Sequence, residues 1–298
     1  MHSLPTDSLL YDLHPPPGND RGPDALRDLL ATVAGELAAG ETVTLSLRGR
    51  GGTSGLALDV PPRHRAWLWG ELPDVYPGCR LVRRQPRQRA NELRVHLAPD
   101  TDLLPLANDV NVRATDADPI AGILSRLKTG RKGTYEARVE LALTQPRPRV
   151  RKRHTRDSRA VLTIGDAEKR REAARTLSAG GLRAWLLRLR SRRRQSGGSA
   201  QGEGKGAAAS LLECRLSVVV SWEAGPVEPA KRIDNSLTSA FARFNTEDVR
   251  FGVARKPRPV LLTPAEVATL WHVPLASADS VADVRRNDFH ELPPPAFD

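Results

Sequence analysis

Arg147, Arg149, Arg151, Lys152, Arg153, Arg156 and Arg159 form one basic run, and Arg190, Arg192, Arg193 and Arg194 form a second. Cations at this density neutralise phosphates by releasing condensed counterions, and they do so without reading bases. From Pro146 to Arg194 there are seventeen Lys and Arg against four Asp and Glu, a net +13 that leaves the rest of the chain near −2 of the total +11. The basicity is therefore local. The same residues also fit a solvated loop and helix face in a chain where Arg heavily outnumbers Lys and Ala is abundant. Phosphate binding and plain solvation stand side by side at this level. No aromatic side chain interrupts Arg147–Arg159, so base stacking is not expected there.

Other chemistries lack their residues. Gly202-Glu203-Gly204-Lys205-Gly206 has glycine where a phosphate loop needs a hydroxyl, and it follows an Arg-rich stretch instead of a buried strand. Gly49 to Gly55 carries Ser54 at the third glycine position of a dinucleotide fingerprint and reads better as a hairpin turn. The seven histidines (His2, His14, His64, His96, His154, His272 and His290) show no metal-ligand spacing, and no cofactor or metal is expected. Cys79 and Cys214 are far apart and read as buried thiols. Glu136 and Glu140 share the polar side of a strand, where solvent contact is the expected role. Trp67 and Trp69 are expected to pack one helix face into the core. The chain is not expected to be an enzyme.

The elements that must carry these residues follow from periodicity. Leu26, Leu29, Leu30, Val33 and Leu37 predict a helix that starts at Pro23. Val43, Leu45 and Leu47, then Leu56, Leu58 and Val60, alternate as a β-hairpin. Arg63 to Leu72 reads as helical, and Leu93, Val95 and Leu97 as a short strand. Asp118-Pro119 opens a helix over Ile120, Ile123, Leu124 and Leu127. Tyr135 to Leu143 and Leu212 to Trp222 alternate as long strands. Pro146 to Arg159 is expected to be an exposed loop, and Asp166 to Arg194 a helix broken at Gly180-Gly181, with Leu182, Trp185, Leu186 and Leu189 as an apolar stripe. Ser196 to Gly206 reads as a linker. A helix begins near Pro229, and Thr263-Pro264-Ala265-Glu266 is a capping box ahead of Val267, Leu270 and Trp271.

The expected fold class is α+β, with two ferredoxin-like (split βαβ) units flanking a basic insertion. The expected boundaries are an N-terminal α+β domain at residues 1–145, the insertion and linker at 146–207, and a second α+β unit with a Pro-rich tail at 208–298. Each unit is expected to fold without the insertion. No apolar run has the roughly 20 residues needed to cross a bilayer and no secretory signal is seen, so a cytoplasmic protein is expected.

Against these residues, the chain resembles the region N-terminal to the motor domain in actinobacterial conjugative DNA-transfer ATPases of the type IV secretion coupling-protein class. The likeness rests on four stretches: Asp118-Pro119 with its helix, Gly133 with the strand to Gln145, the alternation from Leu211 to Trp222, and Leu262 to Pro274. Together they cover about half the chain. The chain ends about where such a motor would begin, so no Walker residue carries over. The resemblance implies a non-catalytic accessory or truncated transfer component. Its expected partners are transfer proteins, DNA through its phosphates, and the anionic inner face of the membrane. A stand-alone nucleic-acid-binding regulator is the alternative.

Overall fold

The computed structural model describes residues 9–85, 89–106, 118, 120–128, 134–180, 184, 187, 210–254, 257–280 and 284–286, leaving aside the side chains of 50, 66–68 and 279–280. The apolar stripe Leu26, Leu29, Leu30 and Val33 is buried on α1 (Pro23–Glu36). The first hairpin is β2 (Thr42–Arg50) and β3 (Thr53–Val60). Gly51 and Gly52 at its tip have φ of 60° and 90°, a conformation that a two-residue turn requires and glycine adopts without strain. Before and after these lie β1 (Leu9–His14), α2 (Arg65–Val75) and β4 (Arg80–Arg83).

The rest of the chain supplies β5 (Asn91–Pro99), α3 (Ala121–Leu127), β6 (Tyr135–Thr144), α4 (Pro148–Leu162) and α5 (Ala167–Ala179). It continues with β7 (Leu212–Trp222), α6 (Glu228–Ala240), β8 (Phe251–Val253), β9 (Val260–Leu262) and α7 (Pro264–Leu270). Thr263 and Glu266 complete the expected capping box at the start of α7. The molecule is α+β. Strands β1, β4, β8 and β9 were not expected.

One antiparallel sheet runs in the order β4-β1-β3-β2-β6-β7-β5-β8, with β9 paired to the end of β7. The first four positions are β1-α1-β2-β3-α2-β4 wound as a split βαβ unit, and the last four are β5-α3-β6-β7-α6-β8 wound the same way. The units join edge to edge where β2 pairs β6 from Thr42↔Thr144 to Arg50↔Glu136. This corrects the expected boundaries. Strands β5 and β6 precede the basic segment, yet both pair with β7, which follows it. The second unit therefore begins near residue 91, and the basic insertion lies inside it, between β6 and β7.

Residues directly opposite in such a sheet share a face. Leu58, Leu45, Leu141, Leu216 and Leu97 form one row across β3-β2-β6-β7-β5, and all are buried. On this face Leu26, Leu29, Leu30 and Val33 of α1 meet Leu45, Leu58, Leu72 and Trp271. Helix α7 packs on α1, so residues from the end of the second half close the core of the first. At Gly49 a Cβ would lie 1.6 Å from the Leu127 carbonyl oxygen, so the end of α3 approaches β2 more closely than any side chain allows. The opposite face carries the row Asp12, Ala57, Ser46, Glu140, Ser217 and His96.

Candidate nucleic-acid interface

The first basic run is a helix, not a loop. Arg147 is extended ahead of Pro148, as a residue before proline tends to be, and Pro148 sits in the first turn of α4. The buried stripe is His154, Asp157, Ser158 and Val161, at the i, i+3, i+4, i+7 spacing of a helix face. Only Val161 in this stripe is apolar, so hydrophobic periodicity could not reveal it. The polar members are held by individual bonds instead. His154 Nε2 lies 2.9 Å from the Asp102 carbonyl oxygen, and Ser158 Oγ donates to the Leu103 carbonyl at 3.0 Å.

Helix α5 fastens the same region. Asp166 caps it by accepting from the Lys169 amide at 2.9 Å, and Gly180 ends it at a φ of 76°. Ala174 and Leu177 are buried. Ser178 Oγ donates to Asp102 Oδ1 at 3.2 Å, and the other oxygen of that carboxylate accepts the Leu261 amide at 3.0 Å. Arg175 pairs with Asp100 at 2.7 Å and Arg171 with Asp248 at 2.5 Å. The insertion is thus docked on the second unit through the loop after β5 and through β9. A polar cleft of about 300 Å³ runs beside it, with Asp102, Asp157 and Glu213 among its walls and Arg153 at its side.

The outward face collects the cations. Arg149, Lys152, Arg153, Arg156 and Arg159 span about 120° of the helix circumference at 3.6 residues per turn, opposite the buried stripe. Arg147, Arg149, Arg151, Lys152, Arg153 and Arg159 are exposed and Arg156 is half-buried. Arg153 and Arg156 both pair with Asp157, at 3.8 and 3.4 Å. Arg147, Arg149, Arg151 and Lys152 have no partner among the described residues. They crowd the N-terminal half of α4, whose first turn holds no acidic residue, where the helix dipole is itself positive. Arg190, Arg192, Arg193 and Arg194, the Leu182, Trp185, Leu186 and Leu189 stripe, and Gly202 to Gly206 lie outside the described residues.

The polar face of the sheet holds a second charged array, which sequence reasoning took for a solvent contact. Glu136 is buried, 4% exposed, and Arg48, Arg84 and Arg89 reach it at 3.4, 3.4 and 3.6 Å. Arg138 pairs with Glu140 and, at 2.9 Å, with Glu92, while Arg94 meets Glu140 at 2.7 Å. Burial alone would raise the Glu140 carboxyl, but Arg138 and Arg94 hold it below the usual carboxylate range. Arg84 follows β4, and three strands separate β4 from β6, about 19 Å in a flat sheet. One arginine cannot span that distance, so the sheet coils with its polar face concave.

A third cluster is wholly internal. Asp118 accepts from the Ile120 amide at 2.9 Å and the Leu275 amide at 2.8 Å, and its Oδ1 lies 3.1 Å from His272 Nε2. The other ring nitrogen of His272 faces the Ala268 carbonyl at 3.0 Å. Both residues are essentially inaccessible. His272 and Trp271 are thus packing groups. Trp69 is not: it is 47% exposed, with its ring edge-on to Tyr11. Cys214 is a buried thiol, and Cys79 is half-buried, with burial pushing its thiol up to about 11. Among the described residues no three His, Cys, Asp or Glu converge as a metal-binding group, and no helix is long and apolar enough to cross a membrane.

Compared with protein-family models, with curated proteins and with solved structures, the chain has no match. What can be stated of its class is therefore its topology: an α+β protein of two split βαβ units sharing one sheet, with a basic helical pair inserted in the second.

Proposed function

We propose that this chain is a non-catalytic component of a conjugative DNA-transfer apparatus that holds nucleic acid through its phosphates at the N-terminal end of α4. One observation carries the binding: Arg147, Arg149, Arg151 and Lys152 are exposed, have no partner among the described residues, and gather at the end of a helix that disfavours them. Charges placed against the interest of the fold are compensated by an anion from outside it. The buried side of α4 fixes the backbone that carries these groups, which lowers the ordering cost of binding.

The transfer role rests on the resemblance, and the geometry supports it. All four stretches that carry the likeness meet in space: Asp118 ahead of α3 bonds to His272 beyond α7, β7 pairs with β6, and Leu212 of β7 pairs with Leu262. A cytoplasmic position at the inner face of the membrane, and contacts with other transfer proteins, belong to the same proposal. The alternative, a stand-alone nucleic-acid-binding regulator, uses the same cations.

The test is the salt dependence of binding to duplex DNA of unrelated sequences. If about five phosphates are neutralised, log K falls against log salt with a slope of roughly −4 to −5. Replacing Arg147, Arg149, Arg151 and Lys152 by Gln should weaken every sequence alike and flatten the slope by about three units. Unchanged affinity and slope would show a solvated face. Stronger binding to anionic vesicles than to DNA would move the proposal to the membrane.

A further inference from the structure

The cluster around Glu136 has more donors than acceptors. Arg48 on β2, Arg84 after β4 and Arg89 before β5 come from both units and share this one buried carboxylate. Arg84 also lies 3.6 Å from Asp12, and Arg89 lies 4.0 Å from the exposed Glu223 and donates to the Thr134 carbonyl at 3.2 Å. Even so, Nε and one terminal nitrogen of Arg48, and Nε of Arg89, have no hydrogen-bond partner, and Arg89 is 6% exposed. Guanidinium donors hidden from water and left without acceptors are rare, because desolvating a charged donor is costly unless an acceptor replaces the water. The strand register sharpens the point: Arg48 lies directly opposite Arg138, so two like charges face each other across the β2–β6 junction.

From this arrangement we infer that the concave face at the junction of the two units is a site for a phosphate-class oxyanion, held by Arg48 and Arg89 with Arg84 at its rim. The chemistry fits in three respects. Guanidinium forks match tetrahedral oxyanions and present paired donors that an ammonium cannot. Glu136 sets the three forks in place and occupies only part of their donor capacity. Arg48 and Arg84 keep 15% and 18% of their side chains exposed, which leaves a side from which an anion can arrive. The ligand is either free phosphate or a phosphate of bound nucleic acid. The site draws on none of the α4 cations, so it stands or falls separately from the proposal for that helix.

The test is binding of inorganic phosphate to the full chain by calorimetry and by thermal shift in phosphate-free buffer. Arg48→Lys and Arg89→Lys each keep a positive charge but lose the fork, and each should weaken phosphate at least about tenfold, the cost of one charge-assisted hydrogen bond or more. Glu136→Gln provides the control that misfolding cannot mimic. With the competing carboxylate gone, phosphate should bind about tenfold more tightly, and the stability lost in phosphate-free buffer should return when phosphate is added. Failure of wild type to bind phosphate, or a Glu136→Gln variant that neither binds more tightly nor is rescued, would overturn the site. Phosphate competing with a single-stranded oligonucleotide in the α4 Gln variant assigns the site to nucleic acid; binding without competition assigns it to free phosphate.

Discussion

Asp118 joins the start of α3 to the turn after α7 through three bonds and is buried beside His272. Burial alone would raise its carboxyl, but His272 and the Leu275 and Ile120 amides outweigh it and hold the group below the ordinary carboxylate value. In the unfolded chain the same carboxyl takes up a proton near pH 4. Between the depressed value and the ordinary one the unfolded state binds more protons, so the stabilisation is complete above about pH 4 and is lost as pH falls through the folded value. Asp118→Asn is expected to lose about 3–5 kcal/mol at neutral pH, as when one member of a buried pair is removed. It should also flatten the acid side of a urea-midpoint against pH curve; an unchanged curve would place the acid sensitivity elsewhere. Asp118 was legible as a helix-start residue and His272 as a histidine without metal-ligand spacing. Their meeting was not, because 154 positions separate them and nothing in either local pattern specifies a partner. The same holds for Glu136, whose alternation marks a polar face but cannot say that Arg48, Arg84 and Arg89 close over it.

At the scale of elements, α4 and α5 contribute Val161, Ala174 and Leu177 to the core and dock through Asp102 and Ser178. Replacing residues 147–206 by a short Gly/Ser linker should leave a cooperative fold, since β6 and β7 pair over ten residues without the insertion. Stability should nevertheless fall by at least about 3 kcal/mol, the worth of two well-buried aliphatic side chains. A melting temperature equal to that of the full chain would show the helical pair to be an appendage. Elements whose burial is apolar were readable: α1, the β2–β3 hairpin, β6 and β7 each carry an apolar stripe built mainly of Leu and Val. Helix α4 was hidden because its buried stripe is His, Asp and Ser. Strands β4, β8 and β9 have three or four residues each, too few for an alternation to register, and β1 breaks its alternation with Leu9, Leu10 and Tyr11 in succession.

Over the whole molecule, the repeated order of strands and helices announces two split βαβ units, and that much of the architecture is legible in the sequence. The division between them was misplaced because the largest change in composition, the basic insertion, falls inside a unit and not between units. Alternation marks strands without naming their neighbours, and β6 finds β7 only across the full length of the insertion. The contact of α7 with α1 has a consequence for the order in which the protein can be made. Leu26, Leu29, Leu30 and Val33 are translated early, but Trp271, which covers them, is made long after them. A chain stalled after residue 145 would show an uncovered α1, and its β6 and β5 would lack the strand that binds them together. Such a nascent chain should be cut readily by protease and held by chaperones, whereas one stalled with residue 286 beyond the exit tunnel should resist. Equal resistance at both lengths would mean that the first unit matures alone, with its newest helix as an ornament; a late gain would make the emergence of α7 the moment at which the whole sheet becomes safe from digestion.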